Sequence, residues 1–164
     1  MSAVATLPRK RVSRKTTGVQ YAALPYRLNG EALEVLLITS RRTRRWIIPK
    51  GWPMEGRRPS ACAAREALEE AGVTGPMAKL PIGHFRYLKE LRMGVELPCR
   101  VEVFALKVTH EQDTWQEKNR RERRWFAAAE AADRVGEPQL KQVIQRFASR
   151  LISQRKRKNG AAQK

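Results

Sequence analysis

The stretch from Pro59 to Ala71, PSACAAREALEEA, constrains this chain more than any other, because it can only be a helix with two incompatible sides. Alanine, leucine and glutamate are good helix formers, proline is tolerated in a first turn, and Gly72 is a natural stop. On that helix Glu66 lies three residues from Glu69 and four from Glu70, so all three carboxylates share one side. The opposite side carries Ala61, Ala64, Leu68 and Ala71, small enough to pack closely on a sheet. Like charges at this spacing repel, and Arg65, four residues before Glu69, offsets only part of the repulsion. A divalent cation would offset the rest. Mg²⁺ and Mn²⁺ favour carboxylate oxygens and water, with substrate phosphates completing the shell. A plain solvated amphipathic helix is the competing reading of the carboxylates alone.

Around this helix the pattern is mostly strand next to strand. Gln20–Leu28 and Leu33–Thr39 are apolar enough for buried strands, and Asn29-Gly30 between them is a hairpin turn. Trp46-Ile47-Ile48 is a short strand stopped by Pro49. Leu80–Leu91 and Val95–Val108 form two longer strands turning near Met93-Gly94, with Pro98 marking an edge or irregular position. Arg124–Phe126 is another short strand. Ala127–Val135 and Gln139–Ile152 are helical, the second with Leu140, Val143, Ile144, Phe147 and Leu151 on one face. This order predicts an α+β fold, an α/β/α sandwich with a mixed β-sheet, rather than a regularly alternating parallel one.

Length and charge narrow the partners. The 164 residues suit one domain, and 34 Lys+Arg against 16 Asp+Glu give a net charge of +18. Residues 1–15 and 153–164 hold bases and no acids, which predicts basic flexible tails around a domain spanning 16–152. The domain itself remains basic: Arg41, Arg42, Arg44, Arg45, Lys50, Arg57 and Arg58 face one nearby acid, Glu55, and Arg120, Arg121, Arg123 and Arg124 form a second cluster. Such clusters fit a polyanion: nucleic acid, an anionic membrane surface or a small polyphosphate. The tails suit non-specific nucleic-acid contact, with a solubilising surface as the alternative. No apolar run reaches the roughly 20 residues of a membrane span, and the first residues lack the apolar core of a secretory signal. Cys62 and Cys99 do not make a disulfide framework, so the expected setting is a reducing cytoplasm. His84 and His110 sit in no nucleophile motif, and no phosphate-binding Gly-rich loop is present. Trp52 could stack a base or cover the core. Oligomeric state is not legible.

Residues 51–73, GWPMEGRRPSACAAREALEEAGV, resemble the Nudix box: a glycine, a glutamate after five residues, Arg-Glu after seven more, then an apolar residue, any residue, Glu-Glu, any residue, glycine and an apolar residue. Gly51, Arg65-Glu66, Ala67, Glu69-Glu70, Gly72 and Val73 match in place; the first glutamate does not, since position 57 is Arg57, with Glu55 two residues earlier. WIIPKGWPMEG and the later RRWF are similar to the diphosphoinositol polyphosphate phosphohydrolase branch and its bacterial relatives.

The resemblance implies a Nudix-type sandwich and a pyrophosphohydrolase. Glu69 and Glu70 would be the chief ligands of Mg²⁺ or Mn²⁺, Glu66 a further ligand or the group that polarises the attacking water, and Arg65 would orient the glutamates. Gly51 would allow close approach of metal or phosphate. Family members often recruit one more carboxylate from a later loop, which points to Glu117 ahead of Glu122. Lys50 with Arg41, Arg42 and Arg44 come first as phosphate contacts, then Arg121 and Arg123. The implied substrates are inositol pyrophosphates or dinucleoside polyphosphates; RNA 5′ ends, nucleotide sugars, and a non-enzymatic basic binding protein are the alternatives.

Overall fold

The computed structural model describes residues 10–11 and 16–163. In chain order the strands are β1 (Lys10–Arg11), β2 (Gly18–Asn29), β3 (Ala32–Thr39), β4 (Trp46–Ile47), β5 (Lys50–Gly51), β6 (Val73–Thr74), β7 (Gly83–Arg92), β8 (Val95–Lys107), β9 (His110–Glu111) and β10 (Arg123–Ala127). The helices are α1 (Pro59–Glu66), continued by a wider π turn over Ala67–Ala71, then α2 (Ala128–Arg134) and α3 (Pro138–Ala161).

The main sheet runs β1-β8-β2-β3-β10, with β7 on β8, β5 on β2 and β4 on β3. It is mixed: β2 and β8 are parallel, Gly18 opposite Cys99 through Tyr26 opposite Lys107, while β2–β3, β3–β10 and β7–β8 are antiparallel. Gly30 takes φ 64° in the β2–β3 hairpin and Gly94 φ 77° in the β7–β8 hairpin, as those turns require. Pro98 lies between the end of β8's pairing with β1 at Glu96 and the start of its pairing with β2 at Cys99, the edge position anticipated for a residue without an N–H.

Alternation along the central strands builds two cores. Leu24, Val35 and Leu37 face one side with Ala131, Leu140, Val143 and Ile144 of α2 and α3. Ala23, Leu36 and Ile38 face the other with Ala63, Ala67 and Ala71 of the acidic helix. Both faces of the sheet are covered, so the expected α/β/α sandwich with a mixed sheet is the observed architecture.

Three details differ from the sequence-based expectation. The helix at 59–71 packs through Cys62, Ala63, Ala67 and the expected Ala71, all fully buried, rather than through Ala61, Ala64 and Leu68. This roughly one-residue rotation brings Glu66 and Glu70 to the border of the buried stripe. The helix also ends in a π turn, a form that occurs mainly as single turns and often at functional sites. Finally, the last helix does not stop at 152. It runs to Ala161, because Gln, Arg and Lys after the apolar stripe are good helix formers and no glycine interrupts them before Gly160. The basic stretch 153–161 is therefore a helical extension rather than the expected flexible tail. The expected N-terminal tail, 1–15, lies outside the described residues except for Lys10–Arg11, whose backbone pairs in parallel with Val95–Glu96. Lys164 is also outside them. Among the described residues no helix is long and apolar enough to cross a membrane.

Candidate active site

The end of the acidic helix is held by the loop that follows β9. The carbonyl of Glu69 accepts from the Glu117 backbone N–H at 3.1 Å, and that of Glu70 from Trp115 Nε1 at 3.3 Å. The carbonyl of Ala71 accepts from Arg123 Nη1 at 2.9 Å, and that of Gly72 from the Gln112 N–H at 2.8 Å. Helix C-termini leave such carbonyls without intrahelical partners, and here each is satisfied from outside. Gly72 closes the turn at φ 65°, and a Cβ there would stand 2.6 Å from the Trp115 ring. The Arg123 guanidinium stacks on Trp115, 3.9 Å from the ring centroid.

Arg123, expected from the sequence as a phosphate contact, fastens the acidic helix in this structure and also reaches the Gln112 carbonyl at 2.8 Å. A guanidinium offers several donors in a fixed fork, whereas an ammonium is a single point charge. Arg123→Ala should therefore lower stability by about 3 kcal/mol, since it strands buried carbonyls. Arg123→Lys should restore less than half of that, which thermal unfolding of the two variants will measure. Equal melting temperatures for wild type and Arg123→Ala would remove this structural role.

The carboxylates lie on the sheet-facing border of the helix. Glu66 is half-buried against Gly51, where a Cβ would run into its carboxylate. Glu69 takes Arg65 Nε at 2.5 Å, the expected i,i+4 pair. Glu70 is 8% exposed; Oε2 accepts from the Lys50 backbone N–H at 3.3 Å and Oε1 pairs with Arg121 Nη2 at 3.3 Å. Burial pushes the Glu70 carboxyl up to about 7, against the pull of Arg121 and Lys50 and with the help of Glu66 and Glu117. Glu66 is raised as well, by burial first and then by Glu69 and Glu117. Lys50 is lowered by burial, an effect that Glu70 and Glu137 oppose.

Glu117 joins this group, 3.6 Å from Arg121 Nη2 and 3.8 Å from Arg41 Nη1. Arg121 is buried and also donates to the Thr39 carbonyl at 3.2 Å, while its Nε has no partner among the described residues. It acts as counter-ion to the acids. Glu55 and Arg57 are both exposed in the turn before the helix, so position 57 brings no carboxylate to the group. Trp52 is 40% exposed, with its ring edge beside Gly18 and Lys89 Nζ 5.8 Å above it. Cys62 and Cys99 are buried and unbridged.

Among the described residues no three acidic, histidine or cysteine side chains already surround one metal position. The donor set nevertheless fits a hard cation. It is all oxygen, it comes from one helix face, and burial raises the carboxyls of both Glu66 and Glu70. Glu69 and Glu70 are at present turned to arginines, Arg65 and Arg121, which are the partners a cation would replace.

Arg41, Arg42, Arg44, Asn119 and Arg120 line an open cavity of about 650 Å³ next to these acids. Arg44 holds its place at φ 55° while donating to the Arg120 carbonyl at 3.2 Å. The sequence did not single out Asn119 or assign a role to Arg120; the earlier charge run was the one available signal.

Known proteins resemble this chain in sequence and in fold. A NUDIX domain model matches residues 18–147. Nudix hydrolase 12, mitochondrial, of Arabidopsis thaliana is 34% identical over 119 residues, covering 70% of this chain and 58% of that protein. Diphosphoinositol polyphosphate phosphohydrolase 3-beta of Bos taurus is 32% identical over 112 residues, 67% of this chain and 64% of that protein. The chain thus spans about three-fifths of the length of these curated relatives. In fold it is similar to a C. elegans Ap4A hydrolase binary complex, with TM-score 0.63, 19% identity, and coverage of 84% of this chain and 99% of that one. With the box glutamates gathered on one helix border, and a family match running from β2 to the middle of α3, the chain belongs to the NUDIX domain family.

Proposed function

We propose that this protein is a divalent-metal-dependent pyrophosphohydrolase acting on phosphoanhydride bonds in highly phosphorylated small molecules, either inositol pyrophosphates or dinucleoside polyphosphates. The observation that carries this reading is the arginine-lined cavity beside the acidic turn, joined to it through Arg41, Glu117, Arg121 and Glu70. One anhydride does not need that many cations; a chain or ring of phosphates does.

Glu66, Glu69 and Glu70 would hold Mg²⁺ or Mn²⁺. When bound, such a cation neutralises charge on the phosphoryl oxygens and lowers the pKa of water. The chain's own groups do the rest. Arg65 keeps Glu69 in place, Glu66 polarises the attacking water, and Arg41, Arg42 and Arg44 position the distal phosphates. Glu117 tethers Arg41 to the acidic group. Arg121 sits where it can turn from Glu70 toward a phosphate. The named relatives from Bos taurus and C. elegans support these two substrate classes. The buried, unbridged cysteines fit a reducing cytoplasmic setting, and the basic ends suit non-specific nucleic-acid contact.

Chromatographic separation of products after incubation with Mg²⁺ or Mn²⁺ tests this across inositol pyrophosphates, dinucleoside polyphosphates, capped RNA and nucleotide sugars. Turnover confined to the last two would overturn it. In the same assay, Arg41→Ala with Arg42→Ala should raise KM for the highly phosphorylated substrate about tenfold, since two exposed charge contacts contribute roughly 1 kcal/mol or less each. The change for a nucleotide sugar should stay within about twofold. The difference should shrink as salt is added, because exposed charges are screened over about 8 Å at physiological ionic strength.

A further inference from the structure

Arg121 and Arg123 both reach the end of the acidic helix, and they are held in different ways. Arg123 meets the Ala71 and Gln112 carbonyls at 2.9 and 2.8 Å, the distances of close hydrogen bonds. Arg121 has only 8% of its side chain exposed, yet its contacts are longer. Nη1 lies 3.2 Å from the Thr39 carbonyl, while Nη2 lies 3.3 Å from Glu70 Oε1 and 3.6 Å from Glu117 Oε1. Its Nε is buried without a partner among the described residues. A guanidinium fixed permanently between two carboxylates is expected at about 2.7–2.9 Å with its donors filled. The backbone beside it is not loose. The Thr39 N–H donates to the Glu122 carbonyl at 3.0 Å, and the Glu122 N–H to Thr39 Oγ1 at 2.9 Å. A displacement of Arg121 is therefore confined to its guanidinium.

The guanidinium is also central. It touches Glu70 of the helix and Glu117 of the later loop, and its charge acts on Glu66 as well. Lys50, the other nearby cation, meets Glu70 only through its backbone N–H. We propose that Arg121 is a built-in stand-in for the divalent cation: it neutralises Glu70 and Glu117 in the metal-free protein and gives up Glu70 when the metal binds. The inference rests on the proposed cation site at Glu66, Glu69 and Glu70. It explains how like charges stay together on one helix border without metal. It also carries a cost, because the metal has to displace a bound charge instead of meeting free carboxylates. Removing the guanidinium leaves buried carboxylates uncompensated, which weakens the metal-free protein and favours any cation that can replace it.

The test is titration calorimetry with MgCl₂ at about pH 9, above the value of about 7 for Glu70, on wild type, Arg121→Met and Arg120→Ala. Arg121→Met should bind Mg²⁺ about tenfold or more tightly than wild type. Arg120→Ala removes the same charge one residue away, from an exposed side chain, and should stay within about twofold of wild type. The metal-free Met variant should melt below wild type, and saturating Mg²⁺ should raise its melting temperature by more. Arg121→Gln loses the charge but keeps a donor for the Thr39 carbonyl, and it serves if the Met variant does not fold. Side-chain Nε–H spectra of ¹⁵N-arginine-labelled wild type read the displacement directly. The Arg121 signal, identified by its absence from the variant, should shift as Mg²⁺ is added and saturate with the calorimetric Kd. Unchanged or weaker Mg²⁺ binding in the uncharged variants overturns the inference. So does equal tightening in Arg120→Ala, or an Arg121 signal indifferent to saturating Mg²⁺; in each case the cation site stands. A wild type that binds neither Mg²⁺ nor Mn²⁺ overturns the cation site, and the stand-in with it.

Discussion

Glu70→Gln should cut hydrolysis of the polyphosphate substrate at least about a hundredfold, the scale of losing a cation's charge stabilisation in the transition state. It should also change how the metal-free protein responds to pH. Glu70 is nearly buried, and its carboxyl is pushed up to about 7. Between its unfolded value near 4.5 and about 7, the folded chain holds a proton that the unfolded chain has released. Stability of the metal-free protein therefore falls as pH rises through that window, and no further loss from this group accrues above it. Glutamine has no proton to lose, so the variant should keep only the shallower slope due to Glu66, whose carboxyl is also raised. Mg²⁺ should raise the melting temperature of the wild type most above pH 7, where Glu70 is ionised, and raise that of the variant much less. Calorimetry from pH 5 to 8, with and without Mg²⁺, reads both effects. A Gln variant that turns over substrate at near wild-type rate would move the cation site elsewhere.

How much of this was legible in the sequence depended on whether the signal was local. Pro59, the alanines and Gly72 mark the acidic helix from within, so its limits were readable. Its facing was not. Ala61 and Ala64 are as small as Ala63 and Ala67, and only the placement of β2, β3 and β8 decides which pair meets the sheet. The charge run at Arg41–Arg45 was readable as one basic cluster, since the hairpin-like loop that bunches those residues is short. The fastening role of Arg123 was not readable because its partners are backbone carbonyls of Ala71, Gly72 and Gln112, which leave no trace in a side-chain pattern. Trp115 has the same reason for being missed as part of the helix fastening: its indole bonds the Glu70 carbonyl across 45 residues of chain. The two-residue strands β6 and β9 were too short for any periodicity to register.

Gly51→Ala should separate catalysis from folding more sharply than any change to a charged group. Gly51 sits in β5 opposite Tyr21 of β2, and its φ is not in the left-handed region, so alanine suits the backbone. Alanine there even narrows the unfolded ensemble, worth about 0.4–1 kcal/mol in favour of folding. The difficulty is the side chain, since the space a Cβ would need is filled by the Glu66 carboxylate. That carboxylate is the free end of a half-buried, flexible side chain, so it can swing away at little cost to the fold. In doing so it leaves the border that it shares with Glu70. A displacement of about 1 Å in a reacting group can cost on the order of a hundredfold in rate. The expected result is therefore a melting temperature within about 2 °C of wild type, given 2–4 °C per kcal/mol for a domain of this size, together with roughly a hundredfold loss of kcat. Glu66→Gln in the Gly51→Ala background should then add little, because the carboxylate it neutralises has already been moved out of place. If Gly51→Ala keeps its rate within about threefold, the close fit of glycine and glutamate serves packing alone, and Glu66 polarises no water.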